Sequence, residues 1–383
     1  MNKFCYINTF SIGCHHEMIN TCLLEMCCNI TDSIDYYGCK SSIDTVLSGT
    51  EVGSCKLKRH ELWLPQKANK IATAFRYIIG ALYNIYILLR IPSKSTLFFS
   101  FNNVIFLNIL SFLQRKKKHT VFICCHGELE LLLPQKGEIG FFAAFLRMNA
   151  KLFFLKKNRY LDSKLNFIVL GDVILENLKI LLPEQLHDRF FSVDHPYHFE
   201  DVRYTKGAER DFYNIGTVGV MSRSKGGDDL SYIAQHVDID KYHLSVIGSV
   251  ESEYLKPFAD LGIKMHHSYI PRTQFESEVR ELDFILFLYP IDSYKMIASG
   301  AIFDAIRLKK PIIAIRNDYF TYLFRKYGPF GYLVDSKEDI VGVIEMIPSL
   351  NTDFSDSFNI LRGSLSPQRL ISEFQQKVDK CFC

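Results

Sequence analysis

The residues best suited to proton transfer lie together in the first half of the chain. His126 and Glu128 follow the apolar run 121–125, which predicts a strand. A strand that ends there places both side chains at the carboxyl edge of a parallel sheet, where active groups are found in such sheets. Either group can act as the base that takes a proton from a hydroxyl group. His126 can instead position a substrate, and Glu128 can instead orient His126. A purely structural role for a histidine at the end of a strand is the alternative.

Two segments of the second half are suited to binding phosphate. The first is the loop VGVMSRSKGG at 218–227, where small residues such as Gly226 let the backbone approach an anion. Arg223 and Lys225 supply charge-assisted donors, and the start of the next helix supplies unpaired N–H groups. The alternative is a solvated turn between a strand and a helix.

The second phosphate segment begins at Tyr294 and contains the helix start Ser299, Gly300 and Ala301. Backbone N–H groups and a hydroxyl group at this position can hold a diphosphate. Asp304, one turn further along, can accept hydrogen bonds from ribose hydroxyl groups. The alternative is an ordinary helix start, with Ser299 as the N-cap and Asp304 placed favourably in the helix dipole.

Taken in order, these segments resemble the C-terminal domain of GT-B glycosyltransferases. The resemblance covers residues 212–345 and rests on the strings VGVMSRSKG, HLSVIG, HHSYIP, DFILFLYP and ASGAIFDAIRLKKPIIA. The first half is similar in pattern only. The family concerned is the glycosyl transferases group 1 (family 4-like), of the type that builds bacterial surface polysaccharide. The resemblance implies transfer of a sugar from a nucleotide-sugar donor to a hydroxyl group of a glycan or lipid-linked acceptor.

The resemblance also assigns residues to the two substrates. The position of the family arginine is occupied by Val220, so we expect Arg223 to take its place by reaching back across the loop. Met296 replaces the first glutamate of the family motif, which normally approaches the donor sugar. The donor-binding residues that the resemblance implies are Arg223, Lys225, Gly226, Ser268, Tyr269, Ile270, Tyr294, Ser299, Gly300, Ala301 and Asp304. Those implied for the acceptor are Gly13, His16 and Glu17, for which a role at a helix start is the alternative.

Short apolar runs alternate with helical patterns along the whole chain, which is typical of stacked βα units and a mainly parallel sheet. The pattern predicts an α/β protein with two Rossmann-like, doubly wound domains that face a cleft. We expect an N-terminal acceptor-binding domain at 1–197, a linker at 198–210 and a nucleotide-sugar-binding domain at 211–365. A C-terminal helix at 366–383 can cross back to the first domain.

Length and composition limit the number of domains, the class of partner and the cellular compartment that we expect. With 383 residues, the chain is long enough for two cores, and a net charge of +3 is too small to predict a nucleic-acid partner. Eleven cysteines without a CxxC pair favour reduced thiols in the cytoplasm. No run of about 18 uninterrupted apolar residues is present, so we expect a protein that is neither exported nor membrane-spanning.

No metal ion or other cofactor is expected. The adjacent histidines at 15–16 and 266–267 would point to opposite faces of a strand, so neither pair predicts a metal site. Asp238, Ile239 and Asp240 spell the DxD motif of metal-dependent glycosyltransferases of another fold, but they precede a strand and predict a connecting turn. Cations and helix starts would neutralise the donor diphosphate instead.

Two stretches of the first half combine bulky apolar residues with cations. They are residues 141–157 and the basic run 115–118. Such a surface can lie on an anionic membrane, which would place the protein at the inner face of the cytoplasmic membrane. A buried helix with basic ends is the alternative.

Two other functions remain open at the level of sequence. An epimerase of sugar nucleotides with the same two domains would need several carboxylates around the sugar, whereas the sequence offers mainly Glu17 and Glu128. A non-catalytic module that binds nucleotide sugars would keep the phosphate loops and tolerate the loss of His126.

Overall fold

The computed structural model describes residues 3–381, except 68, 135–138, 157–160, 162–163, 200–210, 267–269 and 351–352. The chain divides into two compact units. The first comprises Met1–His198, Met296–Ala298 and Leu365–Cys383, and the second comprises Phe199–Lys295 and Ser299–Ser364. Each unit has its own parallel sheet flanked by helices.

Seven strands form the sheet of the first unit. They are β1 (Phe4–Asn8), β2 (Ser33–Cys39), β3 (Lys56–Leu62), β4 (Thr96–Phe99), β5 (Thr120–Cys124), β6 (Leu165–Val169) and β7 (Phe190–Ser192). Their order across the sheet is β3-β2-β1-β4-β5-β6-β7, and all neighbouring pairs are parallel. Both β5 and β6 are buried along their whole length, which explains why they appear in the sequence as largely apolar runs.

In the part of the first unit that the structure describes, the helices before its last strand are α1 (Glu17–Cys28), α2 (Lys40–Ser48), α3 (Lys70–Arg90), α4 (Val104–Lys117), α5 (Phe141–Phe154) and α6 (Asp172–Leu181). Asparagines define where two of them begin. The Asn69 side chain accepts a hydrogen bond from the Ala72 N–H at the start of α3. Asn103 caps α4 in the same way, by accepting from the Ile105 N–H.

The second unit contains the strands β8 (Tyr213–Val218), β9 (Tyr242–Ile247), β10 (Lys264–Met265), β11 (Phe284–Phe287), β12 (Ile312–Ile315) and β13 (Gly331–Val334). Their order is β10-β9-β8-β11-β12-β13, again with parallel pairs. Its helices are α7 (Gly227–His236), α8 (Ser252–Asp260), α9 (Arg272–Glu281), α10 (Gly300–Arg307), α11 (Asp318–Tyr327), α12 (Lys337–Met346) and α13 (Ser355–Ser364).

The last helix, α14 (Pro367–Lys380), belongs to the first unit. Its Gln368 side chain donates to the Glu25 carboxylate of α1 at 3.0 Å. The ring of Phe374 meets that of Phe98 in β4, with 6.2 Å between their centroids. The C-terminal helix therefore packs on elements from the beginning of the chain.

The strand order reverses at one place in each sheet, beside β1 and β4 in the first unit and beside β8 and β11 in the second. In open parallel sheets, ligands bind at the carboxyl ends of the strands at this point. A ligand site is therefore expected in the loops that follow β1, β4 and β5, and in those that follow β8 and β11.

The predicted fold of two doubly wound series is confirmed. The sequence did not predict α2, α13 or the three-residue β7. The sequence pattern predicts a first strand near residues 4–10, and its last two residues were wrong. The Asn8 side chain accepts from the N–H groups of Phe10 and Ser11 and turns the chain. The pattern also predicts a strand near residues 264–269. The structure has a strand at Lys264–Met265, and residues 267–269 lie outside the described residues.

Candidate active site

Loops from three strands of the first unit meet at the carboxyl edge of its sheet. His126, in the loop after β5, is buried, and its Nε2 lies 2.7 Å from the carbonyl oxygen of Ser100, which follows β4. A carbonyl oxygen only accepts, so Nε2 carries the proton and Nδ1 remains an acceptor. The His126 backbone N–H donates to the Glu128 carboxylate at 2.9 Å. The two predicted catalytic residues are thus neighbours in one loop.

Burial sets the charge of both groups. It lowers the pKa of His126 to about 4, against a smaller opposing effect of the Ser100 carbonyl group. It raises the pKa of the Glu128 carboxyl group to about 7, although nearby backbone N–H groups favour the anion. A base works best when its pKa lies near the working pH, so at neutral pH the structure favours Glu128 over His126 for proton transfer.

Four imidazole rings gather at this edge. The ring centroid of His16 lies 4.8 Å from that of His126 and 4.1 Å from that of His15. Burial, and then the neighbouring His126, lower the pKa of His195 to about 3. The pKa of His16 is also well below its ordinary value, first through burial and then through its histidine neighbours. We call His15, His16, His126 and His195 the imidazole cluster.

Sequence reasoning missed His195 because it lies in a polar stretch that looked like the approach to the linker. The structure buries this side chain, and its Nδ1 lies 3.0 Å from the carbonyl oxygen of Pro196. The pairing of β7 with β6 brings it to the edge that carries His126. The only sequence signal was an Asp-His-Pro string after a short apolar run.

Two buried amides at the same edge were also missed. The Nδ2 of Asn8 and the Oδ1 of Asn102 have no hydrogen-bond partner among the described residues. Asn8 ends β1, and Asn102 follows β4, so both lie where the strand order reverses. Buried polar atoms without partners are rare in folded proteins, and here they suit a ligand with hydroxyl groups.

The residues predicted to contact an acceptor all lie between β1 and the first turn of α1. Gly13 and His16 have φ angles of 48° and 56°, so the loop turns through two left-handed residues. The Gly13 N–H donates to the Ser41 hydroxyl group at 3.1 Å. Glu17 is the first residue of α1, where the helix dipole favours a carboxylate. The structure therefore brings His16 to the imidazole cluster and leaves Glu17 at a helix start.

In the second unit, the loop after β8 packs directly on the end of β11. Gly226 has a φ angle of 83°, and a Cβ at this position would lie 2.3 Å from the carbonyl oxygen of Leu288. Only glycine fits without a shift of the backbone. The Nζ of the half-buried Lys225 lies 5.4 Å from the ring centroid of Tyr289, and burial lowers its pKa from the ordinary value. A partly desolvated cation thus stands where the strand order reverses.

An aromatic pair and an uncapped helix start accompany Lys225. Tyr294 has a φ angle of 56°, and its ring stacks on that of Tyr289 with 4.5 Å between centroids. Ser299 precedes α10, but its side chain makes no capping hydrogen bond. The first N–H groups of this helix therefore remain available to an anion. Gly300 is exposed, and no described heavy atom lies within 4 Å of where its Cβ would be.

Arg223 does not reach back across its loop in this structure. Its Nε lies 3.7 Å from the Asp228 carboxylate and 3.8 Å from that of Glu253. All three side chains are exposed, so these ion pairs are weak. The guanidinium group therefore turns towards α7 and α8.

Asp304 also has a protein partner. The Arg272 guanidinium group donates to its carboxylate at 2.6 Å and to that of Glu276 at 2.7 Å. A ribose ligand would have to share the Asp304 oxygens with this arginine. The resemblance implies that the segment 268–270 contacts the nucleobase of the donor. Within it, Ile270 is buried, whereas Ser268 and Tyr269 lie outside the described residues.

Met296, which replaces the first glutamate of the family motif, contacts a carboxylate group from another part of the chain. Its backbone N–H donates to Oε1 of Glu130 at 2.7 Å. Both residues belong to the first unit, and Glu130 follows β5 two residues after Glu128. The missing carboxylate position is thus approached by an acidic side chain that the sequence does not suggest.

Comparison with known proteins bears on the fold. No family model and no curated protein sequence match the chain. HepE from Anabaena, solved with UDP and glucose, is 11% identical, with 100% of this chain and 99% of HepE covered and a TM-score of 0.61. WaaB, a lipopolysaccharide outer core galactosyltransferase, is 12% identical over 99% of both chains, with a TM-score of 0.64.

A third similar structure is part of a protein that is named as a phosphatase. It is the N-terminal domain of trehalose-6-phosphate phosphatase from Candida albicans, 10% identical, with 100% of this chain and 97% of the domain covered and a TM-score of 0.59. At such identities the likeness establishes the fold alone. The chain therefore has the GT-B fold of two Rossmann-like units.

Proposed function

We propose that the protein is a glycosyltransferase that moves a sugar from a nucleotide-sugar donor to a hydroxyl group of an acceptor. The edge of the second unit carries this proposal, because Lys225, the Tyr289–Tyr294 stack and the uncapped start of α10 lie around the same strand end. A cation and free backbone N–H groups are the partners that a diphosphate requires. HepE was solved with UDP and glucose, which supports this class of ligand.

In the proposed reaction, the acceptor oxygen bonds to the anomeric carbon while the bond from that carbon to the diphosphate oxygen breaks. The Glu128 carboxylate takes the hydroxyl proton, and its pKa of about 7 suits this role near neutral pH. Neutral His126 accepts a hydrogen bond at Nδ1 from a neighbouring hydroxyl group of the acceptor, which holds the attacking hydroxyl group in place beside Glu128. The nucleoside diphosphate leaves with the bonding electrons, and Lys225 and the α10 N–H groups stabilise its charge.

The setting of this reaction is part of the proposal. We place the enzyme in the cytoplasm, at the inner face of the cytoplasmic membrane, with a glycan or lipid-linked acceptor in surface polysaccharide biosynthesis. WaaB is named for a lipopolysaccharide core, which supports this setting. Within the stretch 141–157, Phe141 is 89% exposed, which favours a surface role over a buried helix, and Lys157 lies outside the described residues.

Incubation with UDP-glucose, UDP-galactose and UDP-N-acetylglucosamine tests the proposal, after a thermal-shift screen has chosen the nucleotide. A ligand that binds only the folded state raises the free energy of unfolding by RT ln(1 + [L]/Kd). With alkyl glycosides as acceptors, we expect a glycosylated product and free nucleoside diphosphate in equal amounts.

Three other outcomes would contradict it. Conversion of one sugar nucleotide into another without acceptor would identify an epimerase. Stabilisation by nucleotide sugars with no reaction under any condition would identify a binding module. If none of the nucleotides tested stabilises the protein, the proposed donor site is wrong.

A further inference from the structure

Three neighbouring helices of the first unit expose large apolar side chains. Along α3 the exposed fractions of these side chains run from 45% to 70%, and their spacing of three and four residues places them on one side of the helix. The packing of α3 on α4, and of α4 on α5, continues the surface. We call the following residues the apolar face: Ile71, Phe75, Ile78, Leu82, Tyr86, Leu89, Ile109, Phe112, Phe141, Met148 and Leu152.

The length and composition of α3 would let it cross a membrane, and 39% of its most apolar stretch is buried within the protein. Polar groups on its inner side are committed to the first unit, however. The Arg76 guanidinium group donates to the Pro65 carbonyl oxygen at 3.0 Å, and Asn84 accepts from the Thr9 hydroxyl group at 2.8 Å. A Cβ at Gly80 would lie 2.4 Å from the Thr9 carbonyl oxygen. Such a helix lies on its unit, because in a bilayer these polar groups would face hydrocarbon.

The sequence segments that carry the apolar face contain cations and no carboxylates. Residues 62–127 contain no Asp or Glu, and residues 139–161 contain none either. The Lys94 N–H donates to the Lys117 carbonyl oxygen at 3.1 Å, which joins the end of α4 to the loop after α3. The exposed cations at this end of the face are Arg90, Lys94, Arg115, Lys116 and Lys118.

We propose that the apolar face docks on an anionic lipid bilayer, with α3 lying in the plane of the interface. Bulky apolar side chains enter the boundary between headgroups and acyl chains, and Lys and Arg are attracted to anionic headgroups. Soluble proteins rarely expose so large an apolar surface without a partner. A second copy of the chain is a poorer partner, because two such faces would bring together segments that carry cations and no carboxylates.

The same helix touches the edge that carries the imidazole cluster. Thr9, which bonds to Asn84 of α3, follows β1, and the next residue, Phe10, stacks on Phe101 with 3.9 Å between ring centroids. Tyr77 of α3 packs on Phe10, with 4.8 Å between centroids. Docking would therefore bring the bilayer close to the proposed acceptor residues. This step rests on the proposed function and selects a lipid-linked acceptor.

Flotation with vesicles tests the docking itself. The whole protein should float with vesicles that contain phosphatidylglycerol, much less with pure phosphatidylcholine, and less again in high salt. A variant with Phe75→Asn, Leu82→Asn and Tyr86→Asn should bind vesicles about tenfold more weakly or worse, because each change removes apolar area that docking would bury in the lipid. Ile180→Asn is the matched control, because Ile180 is 87% exposed on α6 outside the apolar face.

A relocated tryptophan identifies the surface that enters the lipid. The chain has a single tryptophan, Trp63. In a Trp63→Phe background, Phe75→Trp should show a shift of emission to shorter wavelength with anionic vesicles, whereas Ile180→Trp should not. Alkaline carbonate should release the bound protein, since an interfacial helix is not anchored as a spanning helix is.

Several results would overturn the proposal: equal vesicle binding by the triple variant, an emission shift only at position 180, or retention after carbonate treatment. Dimerisation of the parent that the triple variant abolishes would identify a second copy as the partner. Thermal stabilisation by UDP is measured in parallel on every variant. Loss of vesicle binding by a variant that still binds UDP tests the docking surface alone. A parent protein that binds vesicles but not UDP would contradict the proposed function alone.

Discussion

The two units place opposite chemistry at equivalent edges of two similar sheets. At the first edge, burial keeps the imidazole cluster uncharged and raises the pKa of Glu128 to about 7. At the second edge, Lys225 keeps its place over Tyr289 beside an uncapped helix start. The first arrangement suits a neutral hydroxyl group and its proton, and the second suits an anion. One architecture therefore acquires two tasks from the few residues that follow its strands.

The largest expected effect concerns the base. Glu128→Gln keeps the size of the side chain but removes the group that takes the proton, so turnover should fall by about two to four orders of magnitude. Affinity for the nucleotide should stay unchanged, because its proposed site lies in the second unit. Single-turnover kinetics with calorimetric titration measures both, and near-normal turnover in a folded variant would move the role of base to His126.

The pH profile of kcat/KM sharpens this assignment. The carboxylate form is required, so activity should rise with pH through the pKa of Glu128, about 7, and be lost below it. If His126 were the base, its pKa of about 4 would give a flat profile from pH 6 to 8. His126→Ala should also lower turnover by about two orders of magnitude or more. The rise of kcat/KM around pH 7 should remain in this variant.

A second effect of similar origin appears in stability. Because the pKa values of His126 and His195 are lowered to about 4 and about 3, the unfolded chain binds protons below pH 6.5 that the folded chain does not. The free energy of unfolding should therefore fall as the pH falls from 6.5 to 4, by about 3 kcal/mol for His126 alone. Glu128 has the opposite effect, because its raised pKa lowers the free energy of unfolding as the pH rises from 4.5 to 7.

Thermal unfolding from pH 4 to 8 checks this balance. His126→Gln should flatten the acid side, because the substituted amide does not titrate. An unchanged slope in this variant would mean that the ring is not buried in its neutral form.

The strands and helices could largely be predicted because a parallel strand covered on both faces leaves an apolar run in the sequence. The sequence of α2, KSSIDTVLS, has few apolar residues, and β7 has only three residues, so neither left a clear pattern. The position of His126 at a strand end was predictable, but its pKa depends on burial by distant segments. The partners of Arg223 and Asp304 likewise come from other helices and could not be predicted from spacing.

Two glycines at the second edge allow a matched test of its geometry. Gly226→Ala would place a Cβ against the Leu288 carbonyl oxygen at a φ angle of 83°, so it should destabilise the fold by more than about 1 kcal/mol and weaken nucleotide binding. Gly300→Ala has open space at its Cβ and should be nearly neutral. Thermal unfolding with and without UDP compares them, and equal behaviour would show that the loop after β8 does not need its close approach.

The smallest expected effect is that of a chelator. If protein cations and N–H groups neutralise the donor diphosphate, EDTA should change the rate of transfer by less than about twofold. Among the described residues, no group of three or more His, Cys, Asp or Glu side chains could hold a metal ion. Loss of activity in EDTA that Mn²⁺ or Mg²⁺ restores would contradict this prediction.

Calorimetric titration of the parent and of Lys225→Ala with UDP and with uridine tests the central claim most directly. The parent should bind UDP more tightly than uridine. The loss of one charge-assisted contact, about 1.5–3 kcal/mol, should weaken UDP binding by about tenfold or more and leave uridine binding within about twofold. If the folded variant binds both ligands as the parent does, or if the parent binds neither, the second unit does not hold the diphosphate of a uridine-nucleotide sugar.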